Sequence, residues 1–224
     1  MRQWFTGTWA VLAKDAKLEF RTRYALNMLL MFVITALLVV TLAIRGEPTT
    51  PTMRSGLLWI VVLFSAAVGL GRAFVSEEEA GTSLILRLNV RGSMVFAGKL
   101  AFTYLLLLAV DLVAVLGFGF LVDLGAENVL LLAVVLALGS LGLAAATTLL
   151  SAIIARASNR GPLLPVLLFP LLFPLLMTIV PAAREALEGG GGWEGAYGHL
   201  RVMVAFAGTM ITGAVLLFDY VWED

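Results

Sequence analysis

Six long apolar stretches dominate the chain, and short segments rich in charged residues and glycine separate them. They cover residues 26–44, 56–75, 95–122, 129–155, 163–182 and 202–221. A helix of about 20 apolar residues crosses the hydrocarbon core of a bilayer, which is about 30 Å thick. The pattern therefore predicts an all-α membrane protein with six transmembrane helices, folded as a single transmembrane domain over residues 1–224.

Residues 1–25, ahead of the first span, have the pattern of an amphipathic helix. Apolar positions recur every three or four residues and form one stripe: Phe5, Trp9, Leu12, Ala16 and Phe20. The basic residues on the opposite side, or just after it, are Lys14, Lys17, Arg21 and Arg23. Basic residues opposite aromatic ones favour a helix on the anionic cytoplasmic leaflet. We expect either a simple membrane anchor or an elbow helix that also touches a cytoplasmic partner.

Composition supports the membrane assignment and excludes several functions. Hydrophobic residues make up 61% of the chain and charged residues 13%, whereas soluble domains have about 25% charged residues. There is no cysteine and a single histidine, His199, which excludes thiolate metal sites and a bis-histidine haem cage within one chain. The motif G-x-x-x-x-G-K-[ST] is missing, so the chain does not bind ATP as P-loop proteins do. The sequence contains no recognisable set of catalytic residues, so it does not indicate an enzyme.

The distribution of lysine and arginine predicts the orientation of the spans. With six spans, eleven basic residues fall on the side of the N-terminus: Arg2, Lys14, Lys17, Arg21, Arg23, Arg72, Arg87, Arg91, Lys99, Arg156 and Arg160. Four fall on the other side: Arg45, Arg54, Arg184 and Arg201. Because cytoplasmic segments carry the excess of basic residues, we expect both termini in the cytoplasm. The short chain favours the bacterial inner membrane.

The segment between the second and third spans, residues 76–92, has the pattern of a short cytoplasmic helix. Ser76 and Glu79 have the spacing of a capping box. The glutamates of residues 77–79 would occupy the first turn, where the helix dipole favours negative charge. An apolar face follows, formed by Leu84, Ile85 and Leu88. We expect this face to be buried in the cleft of a partner protein; the alternative is a helix that lies flat on the bilayer.

Asp111, midway along the third span, is the polar candidate within the membrane. An unpaired carboxylate in lipid costs several kcal/mol, so we expect it to face the bundle interior. No lysine or arginine inside the spans is available to pair with it. The alternatives are a protonated carboxyl, a contact with a second subunit, or a hydrogen bond to Thr103, Thr147 or Thr148. Its role is either structural or connected with transport.

Two further patterns concern helix packing and loops. The fifth span contains Pro162, Pro165, Pro170, Pro174 and Pro181, which predict a kinked helix that lines a cavity or simply fits its neighbours. In the fourth span, Gly139, Gly142 and Ala146 indicate close packing. The outer loop before the sixth span holds four consecutive glycines and is expected to be flexible. His199 in that loop is either a solvent-facing residue or a ligand for metal or haem.

Several short strings occur in an order that resembles the haem exporter protein B (CcmB) family. They are Lys14-Asp15 to Asn27, Leu58-Trp59-Ile60, Gly69-Leu-Gly71-Arg72-Ala-Phe74, Glu77-Glu78-Glu79-Ala-Gly81-Thr82 and Gly98-Lys99-Leu100. The resemblance covers nearly the whole chain. The wider architecture is similar to type-2 ABC export permeases, which share an elbow helix and a coupling helix after the second span.

The resemblance implies a permease subunit of cytochrome c maturation without ATPase activity of its own. ATP would be bound by a separate cytoplasmic P-loop ATPase subunit. Other implied partners are a haem-handling membrane subunit with a tryptophan-rich motif, a small accessory membrane protein, a periplasmic haem chaperone and a second copy of the permease. ATP hydrolysis would drive haem export or release of the haem-loaded chaperone. Haem would then be cargo, and the chain has no tryptophan-rich haem motif of its own.

The resemblance also assigns roles to residues. The predicted ATPase-coupling residues are Glu77, Glu78, Glu79, Gly81, Thr82, Leu84, Ile85, Arg87, Leu88 and Arg91. The glutamates would meet the ATPase surface, the apolar residues would fill its groove, and Arg87 and Arg91 would pair at the rim. Two alternatives stay open: an export permease of the same fold for lipid, drug or polysaccharide, and a membrane scaffold that transports nothing.

Overall fold

The computed structural model describes residues 2–44, 46–69, 74, 81, 90–155, 163–188 and 190–223. The helices in these ranges are α1 (Arg2–Thr22), α2 (Tyr24–Ile44), α3 (Pro51–Gly69), α4 (Gly92–Leu121), α5 (Val129–Ile154), α6 (Leu163–Glu188) and α7 (Gly192–Glu223). Helices α2 to α7 are each long and apolar enough to cross a membrane. The prediction of an all-α protein with six transmembrane helices is therefore confirmed.

A sharp corner separates α1 from α2. Arg23 has a φ of +51°, in the left-handed region that residues other than glycine rarely adopt. Its N–H donates to the backbone carbonyl of Glu19. The Glu19 side chain accepts the N–H of Leu26 at 2.8 Å and so satisfies a donor in the first turn of α2. Glu19 therefore fixes both the end of α1 and the start of α2, and the predicted N-terminal helix is a separate element.

The loop before the last span differs from the prediction. Helix α6 continues to Glu188 and α7 begins at Gly192, so only residues 189–191 separate them. His199 lies in the early turns of α7 rather than in a loop. The expectation that His199 lies in a loop was wrong, because the helices on both sides extend into the predicted loop. Gly192 takes a φ of +51°, and the carboxylate of Glu185 lies so close to Gly195 that an added Cβ there would meet its Oε2 at 2.6 Å.

Helix α5 forms the centre of the bundle. Its most apolar stretch is 61% buried, against 17% for α2 at the periphery. It packs against α4, α6 and α7. The ring of Trp59 from α3 lies directly on Gly139, where an added Cβ would meet the ring at 2.2 Å. Gly142 lies between Leu175 and Phe206 with similarly little space. These contacts agree with the close packing that the small residues predicted.

Helix α6 remains continuous despite its prolines. Pro170, Pro174 and Pro181 lie inside the helix, Pro165 lies in its first turn, and Pro162 lies outside the described residues. A proline in the first turn removes no helical hydrogen bond, whereas each interior one removes the donor for the carbonyl four residues earlier. Ser55 of α3 donates to the carbonyl of Val180 at 2.6 Å. A neighbouring helix therefore supplies a hydrogen bond next to the last of these prolines.

Candidate functional site

The structure describes only part of the predicted coupling segment. Eight of its predicted contact residues lie outside the described residues: Glu77, Glu78, Glu79, Thr82, Leu84, Ile85, Arg87 and Leu88. Gly81 is exposed and has a φ of +66°, a conformation that glycine adopts without strain. Arg91 is also exposed, and its carbonyl accepts the N–H groups of Met94 and Val95 at the start of α4. The coupling roles of all these residues stay predictions.

Phe74, two residues before the predicted coupling segment, is anchored in the bundle. Its side chain is buried, and its N–H donates to Oγ of Ser151 in α5 at 3.1 Å. Its ring packs on Phe218 of α7 with the centroids 5.4 Å apart, and Phe218 packs on Phe96 of α4 at the same distance. The entrance to the segment is thus held by contacts that reach α4, α5 and α7.

A buried ion pair connects α1 to α4 at the same place. Lys99 in α4 is only 2% exposed, and its Nζ lies 3.2 Å from Oδ2 of Asp15 in α1, which is 8% exposed. The same ammonium lies over the ring of Phe74, 5.0 Å from the centroid, within range of a cation–π interaction. Lys14, which is partly exposed, lies 3.3 Å from the other oxygen of Asp15. Lys99 therefore contacts α1 on one side and, on the other, Phe74 just before the predicted coupling segment.

Two glycines allow α1 and α4 to approach closely beside this ion pair. An added Cβ at Gly98 of α4 would lie 2.7 Å from Cβ of Val11 and 2.9 Å from the carbonyl oxygen of Thr8. One at Gly7 of α1 would lie 2.6 Å from Sδ of Met94. Backbone and side chains of the two helices are therefore in direct contact over about two turns, and the contact includes main-chain atoms that cannot move independently of the helix.

The exposure of α1 agrees with the predicted amphipathic pattern. Phe5, Trp9 and Phe20 are 64%, 69% and 77% exposed, as expected for a face that meets lipid. The predicted basic residues Lys17, Arg21 and Arg23 are exposed, and Lys14 is partly exposed. A third face, containing Val11 and Asp15, is buried against α4. The sequence pattern indicated the first two faces and missed the third.

The sequence analysis did not single out Asp15 or Lys99 as partners. Lys99 counted only as one more basic residue on the cytoplasmic side, and Asp15 lay among basic neighbours. A signal was present, because both residues belong to the strings that carry the family resemblance. Lys99 also stands inside an apolar run directly after Gly98, a position where a solvated charge is out of place. Their pairing across 84 residues required the tertiary structure.

Asp111 faces the bundle interior as expected, and its hydrogen-bond partner is Ser140 of α5. Asp111 is 3% exposed, and the Ser140 hydroxyl donates to its Oδ2 at 2.6 Å. Among the described residues, the three threonines considered from the sequence are not its partners, and none forms a hydrogen bond with Oδ1. The buried Trp59 Nε1, which belongs to the ring next to Gly139, also has none. A polar spot therefore exists at the contact of α3, α4 and α5, with one strong bond between α4 and α5.

The opposite end of the bundle contains a cavity and an arginine that holds a loop. A cavity of about 320 Å³ lies between the end of α2, the start of α3 and the end of α4. Nη1 of Arg54 in its wall donates to the carbonyls of Asp123 and Leu124 at 2.8 and 2.9 Å, so the guanidinium holds the loop after α4. Within the part of the chain that the structure describes, no group of three histidine, cysteine or acidic residues is placed to hold a metal ion.

Comparison with known proteins gives one family. The family model described as CcmB protein matches residues 6–219 of the 224-residue chain. The match includes α1 from its second turn, all six apolar helices and the whole predicted coupling segment. No curated protein matches the chain significantly.

Proposed function

The chain belongs to the CcmB family of membrane permeases for haem export in cytochrome c maturation, and from this premise we propose how it works. It is the permease subunit of an ABC-type complex and couples ATP hydrolysis by a separate cytoplasmic ATPase subunit to a step on the other side of the membrane. That step is haem export or the release of the haem-loaded periplasmic chaperone.

One observation carries the coupling proposal. Phe74, two residues before the predicted coupling segment, is buried and hydrogen-bonded to α5. Arg91, near the end of the segment, is the N-cap of α4. Phe74 reaches α5 and α7, and Gly92 opens α4 directly. If an ATPase subunit displaces the segment, the displacement is therefore transmitted to packed helices and is not absorbed by a flexible loop. Energy from ATP is delivered as movement, because the chain has no P-loop of its own.

Within the segment we assign the contacts as the sequence indicates. Glu77, Glu78 and Glu79 face the ATPase surface in a first helical turn. Leu84, Ile85 and Leu88 fill a groove in that surface. The rim residues Arg87 and Arg91 add ion pairs that set register more than affinity, and Arg91 is exposed as this role requires. Gly81 and Thr82 shape the turn between the acidic and apolar parts.

The other proposed partners follow from the family. They are a second copy of the permease, a haem-handling membrane subunit with a tryptophan-rich motif, a small accessory membrane protein and the periplasmic haem chaperone. Haem passes as cargo at an interface with these partners. The protein is a multi-pass protein of the bacterial inner membrane, and we propose that both termini are cytoplasmic because of its basic-residue distribution.

Affinity purification of the tagged chain in mild detergent tests the proposal, with mass spectrometry and an absorption spectrum of the eluate. We expect a P-loop ATPase and a tryptophan-rich membrane protein to co-purify, with a Soret band only when the second is present. An ATPase alone would favour an exporter for another cargo. No ATPase at all would overturn both transport functions and leave a scaffold.

A charge reversal tests the coupling segment itself. Glu78→Lys should abolish ATP-driven cytochrome c maturation while the complex still assembles, because the lysine would reverse the charge that meets the ATPase surface in the proposed contact. Glu127→Lys is the matched control, since Glu127 is exposed in the loop between α4 and α5 on the predicted outer side. Normal maturation with Glu78→Lys would contradict the assigned contact.

A further inference from the structure

The contact of α1 with α4 has features that a passive membrane anchor does not need. An anchor needs an apolar face toward lipid, which Phe5, Trp9 and Phe20 already provide. The third face of α1 places a carboxylate, Asp15, in a buried position where charge is costly without a partner. The partner comes from α4, the helix that begins where the predicted coupling segment ends. The pair therefore joins α1 to α4, the helix that would move if the coupling segment were displaced.

The geometry of this contact opposes sliding and rotation. Moving α1 along α4 by one residue is a displacement of about 1.5 Å, which would stretch the 3.2 Å contact of Lys99 Nζ with Asp15 Oδ2 beyond hydrogen-bonding distance. Rotation is opposed by the Thr8 carbonyl, which lies against Gly98. The stack of the Lys99 ammonium on Phe74 ties the same lysine to the other end of the segment.

We propose that α1 and α4 move as one rigid unit during the ATP-driven cycle, with Asp15 and Lys99 as the positioning residues that lock them together. Displacement of the coupling segment then moves the elbow helix and the third span together, and the aromatic face of α1 carries that movement to the membrane surface. The inference rests on the proposed function, because it needs an ATPase that displaces the segment.

An engineered disulfide tests the lock directly. The chain contains no cysteine, so Gly7→Cys with Met94→Cys introduces the sole pair of thiols within it. The ideal Cβ position at Gly7 lies 3.7 Å from Cβ of Met94, within the range of about 3.5–4.5 Å that disulfides require. Met94→Cys also removes the Sδ atom that a new side chain at position 7 would meet at 2.6 Å.

The assay compares oxidised and reduced forms of the full complex with its ATPase partner, measuring ATP hydrolysis and cytochrome c maturation. If α1 and α4 move together, oxidation should change both rates by no more than about twofold, less than 0.5 kcal/mol in activation free energy on the scale where tenfold is about 1.4 kcal/mol. A larger loss on oxidation that reductant reverses would show that the helices separate during the cycle and would overturn the proposal. The two single cysteine variants control for effects of the oxidant.

A rescue experiment tests the residues named for the lock. The double variant Asp15→Leu with Lys99→Met removes the pair without leaving a buried charge unpaired. It should uncouple the complex: ATP hydrolysis continues while maturation falls about tenfold, because α1 no longer follows α4. Adding the disulfide between positions 7 and 94 should restore maturation on oxidation. If the closed disulfide did not restore maturation, Asp15 and Lys99 would not be positioning residues. A parent complex without ATP-driven maturation would instead overturn the proposed function, which separates the two failures.

Discussion

At the scale of single residues, the chain places a few polar groups where lipid or packed helices surround them. The Asp15–Lys99 pair is one case, with both side chains nearly inaccessible. Taking two charges out of water is expensive, and an apolar pair of similar volume often stabilises a protein as well or better. Stability alone therefore does not explain the pair, and the fixed geometry that it gives to α1 and α4 fits the proposed positioning role.

The energetics of the pair predict opposite effects of single and double substitutions. Lys99→Met should lower the free energy of unfolding by about 3–5 kcal/mol, because it removes the buried partner of Asp15 and leaves, among the described residues, the partly exposed Lys14 to pair with it. Asp15→Leu combined with Lys99→Met should regain most of that loss. Thermal unfolding followed by tryptophan fluorescence in detergent measures both. A double variant that is less stable than Lys99→Met would contradict this account.

Asp111 offers a second prediction. Asp111→Asn keeps an oxygen that accepts the Ser140 hydroxyl, so we expect normal stability and normal maturation if the bond between α4 and α5 is its purpose. Ser140→Ala should reduce stability by about 1 kcal/mol, the size measured for interhelical hydrogen bonds in membranes. A loss of maturation by Asp111→Asn without loss of stability would instead assign the ionisable carboxyl to transport.

At the scale of helices, close approach decides the architecture. Helix α5 is surrounded because its small residues let the Trp59 ring and neighbouring helices reach its backbone. In lipid, helix association depends on such packing more than on the hydrophobic effect, since lipid tails are as apolar as leucine. Glycine has a low helix propensity. The glycines of α5 nevertheless stabilise the bundle, because they allow neighbouring helices to pack close to its backbone.

This packing predicts contrasting effects of two alanine substitutions. Gly139→Ala should destabilise the bundle by about 1–3 kcal/mol, the usual cost of overpacking, because the new Cβ would lie 2.2 Å from the Trp59 ring. Gly119→Ala in α4 is the matched control, since nothing lies within 4 Å of its Cβ position. It should be neutral or slightly stabilising, because alanine favours helix by up to about 1 kcal/mol. Equal thermal stability of the two variants would contradict the packing account.

At the scale of the whole molecule, the two ends of the bundle differ. The α1–α4 junction and the flanks of the coupling segment share one end, where Phe74, Phe96 and Phe218 pack together. At the other end lie Arg54 and the loop after α4 that it holds. Basic residues concentrate in the segments predicted for the first end, and the positive-inside rule predicts that this end is cytoplasmic. An ATPase subunit and the elbow junction would therefore act on the same side of the membrane.

Reporter fusions test this orientation. A fluorescent protein fused after Asp224 should fold and fluoresce, because that chain end is predicted to be cytoplasmic. Alkaline phosphatase inserted after Glu47, in the turn between α2 and α3, should be active, because it folds only outside the cytoplasm. The reciprocal fusions serve as controls and should both be inactive. The reverse pattern would place both termini outside and remove the coupling segment from reach of a cytoplasmic ATPase.

The sequence by itself determined the six spans, the separate amphipathic helix and the family. The physical reason is that lipid acts as a uniform solvent, so a helix that crosses it must be apolar over about 20 residues. Counting apolar residues in a local window of the sequence is enough to find such a helix. The same reasoning placed Asp111 inside the bundle, because a carboxylate facing lipid is costly. Helix ends were less accurate, as the compact turn at Gly192 shows, since glycine runs permit a tight turn as readily as a flexible loop.

Only the tertiary structure decided which polar groups meet. Periodicity indicates the face of a helix on which a residue lies, but not which helix covers that face or how the two are rotated. Asp15 and Lys99 are 84 residues apart, and Asp111 and Ser140 are 29 apart. From the sequence, Lys99 was interpreted as a solvated cytoplasmic charge. In the structure α1 covers it, and its side chain is buried. The contacts of Lys99 with Asp15 and Phe74 therefore follow from the packing of α1 on α4, which no local pattern specifies.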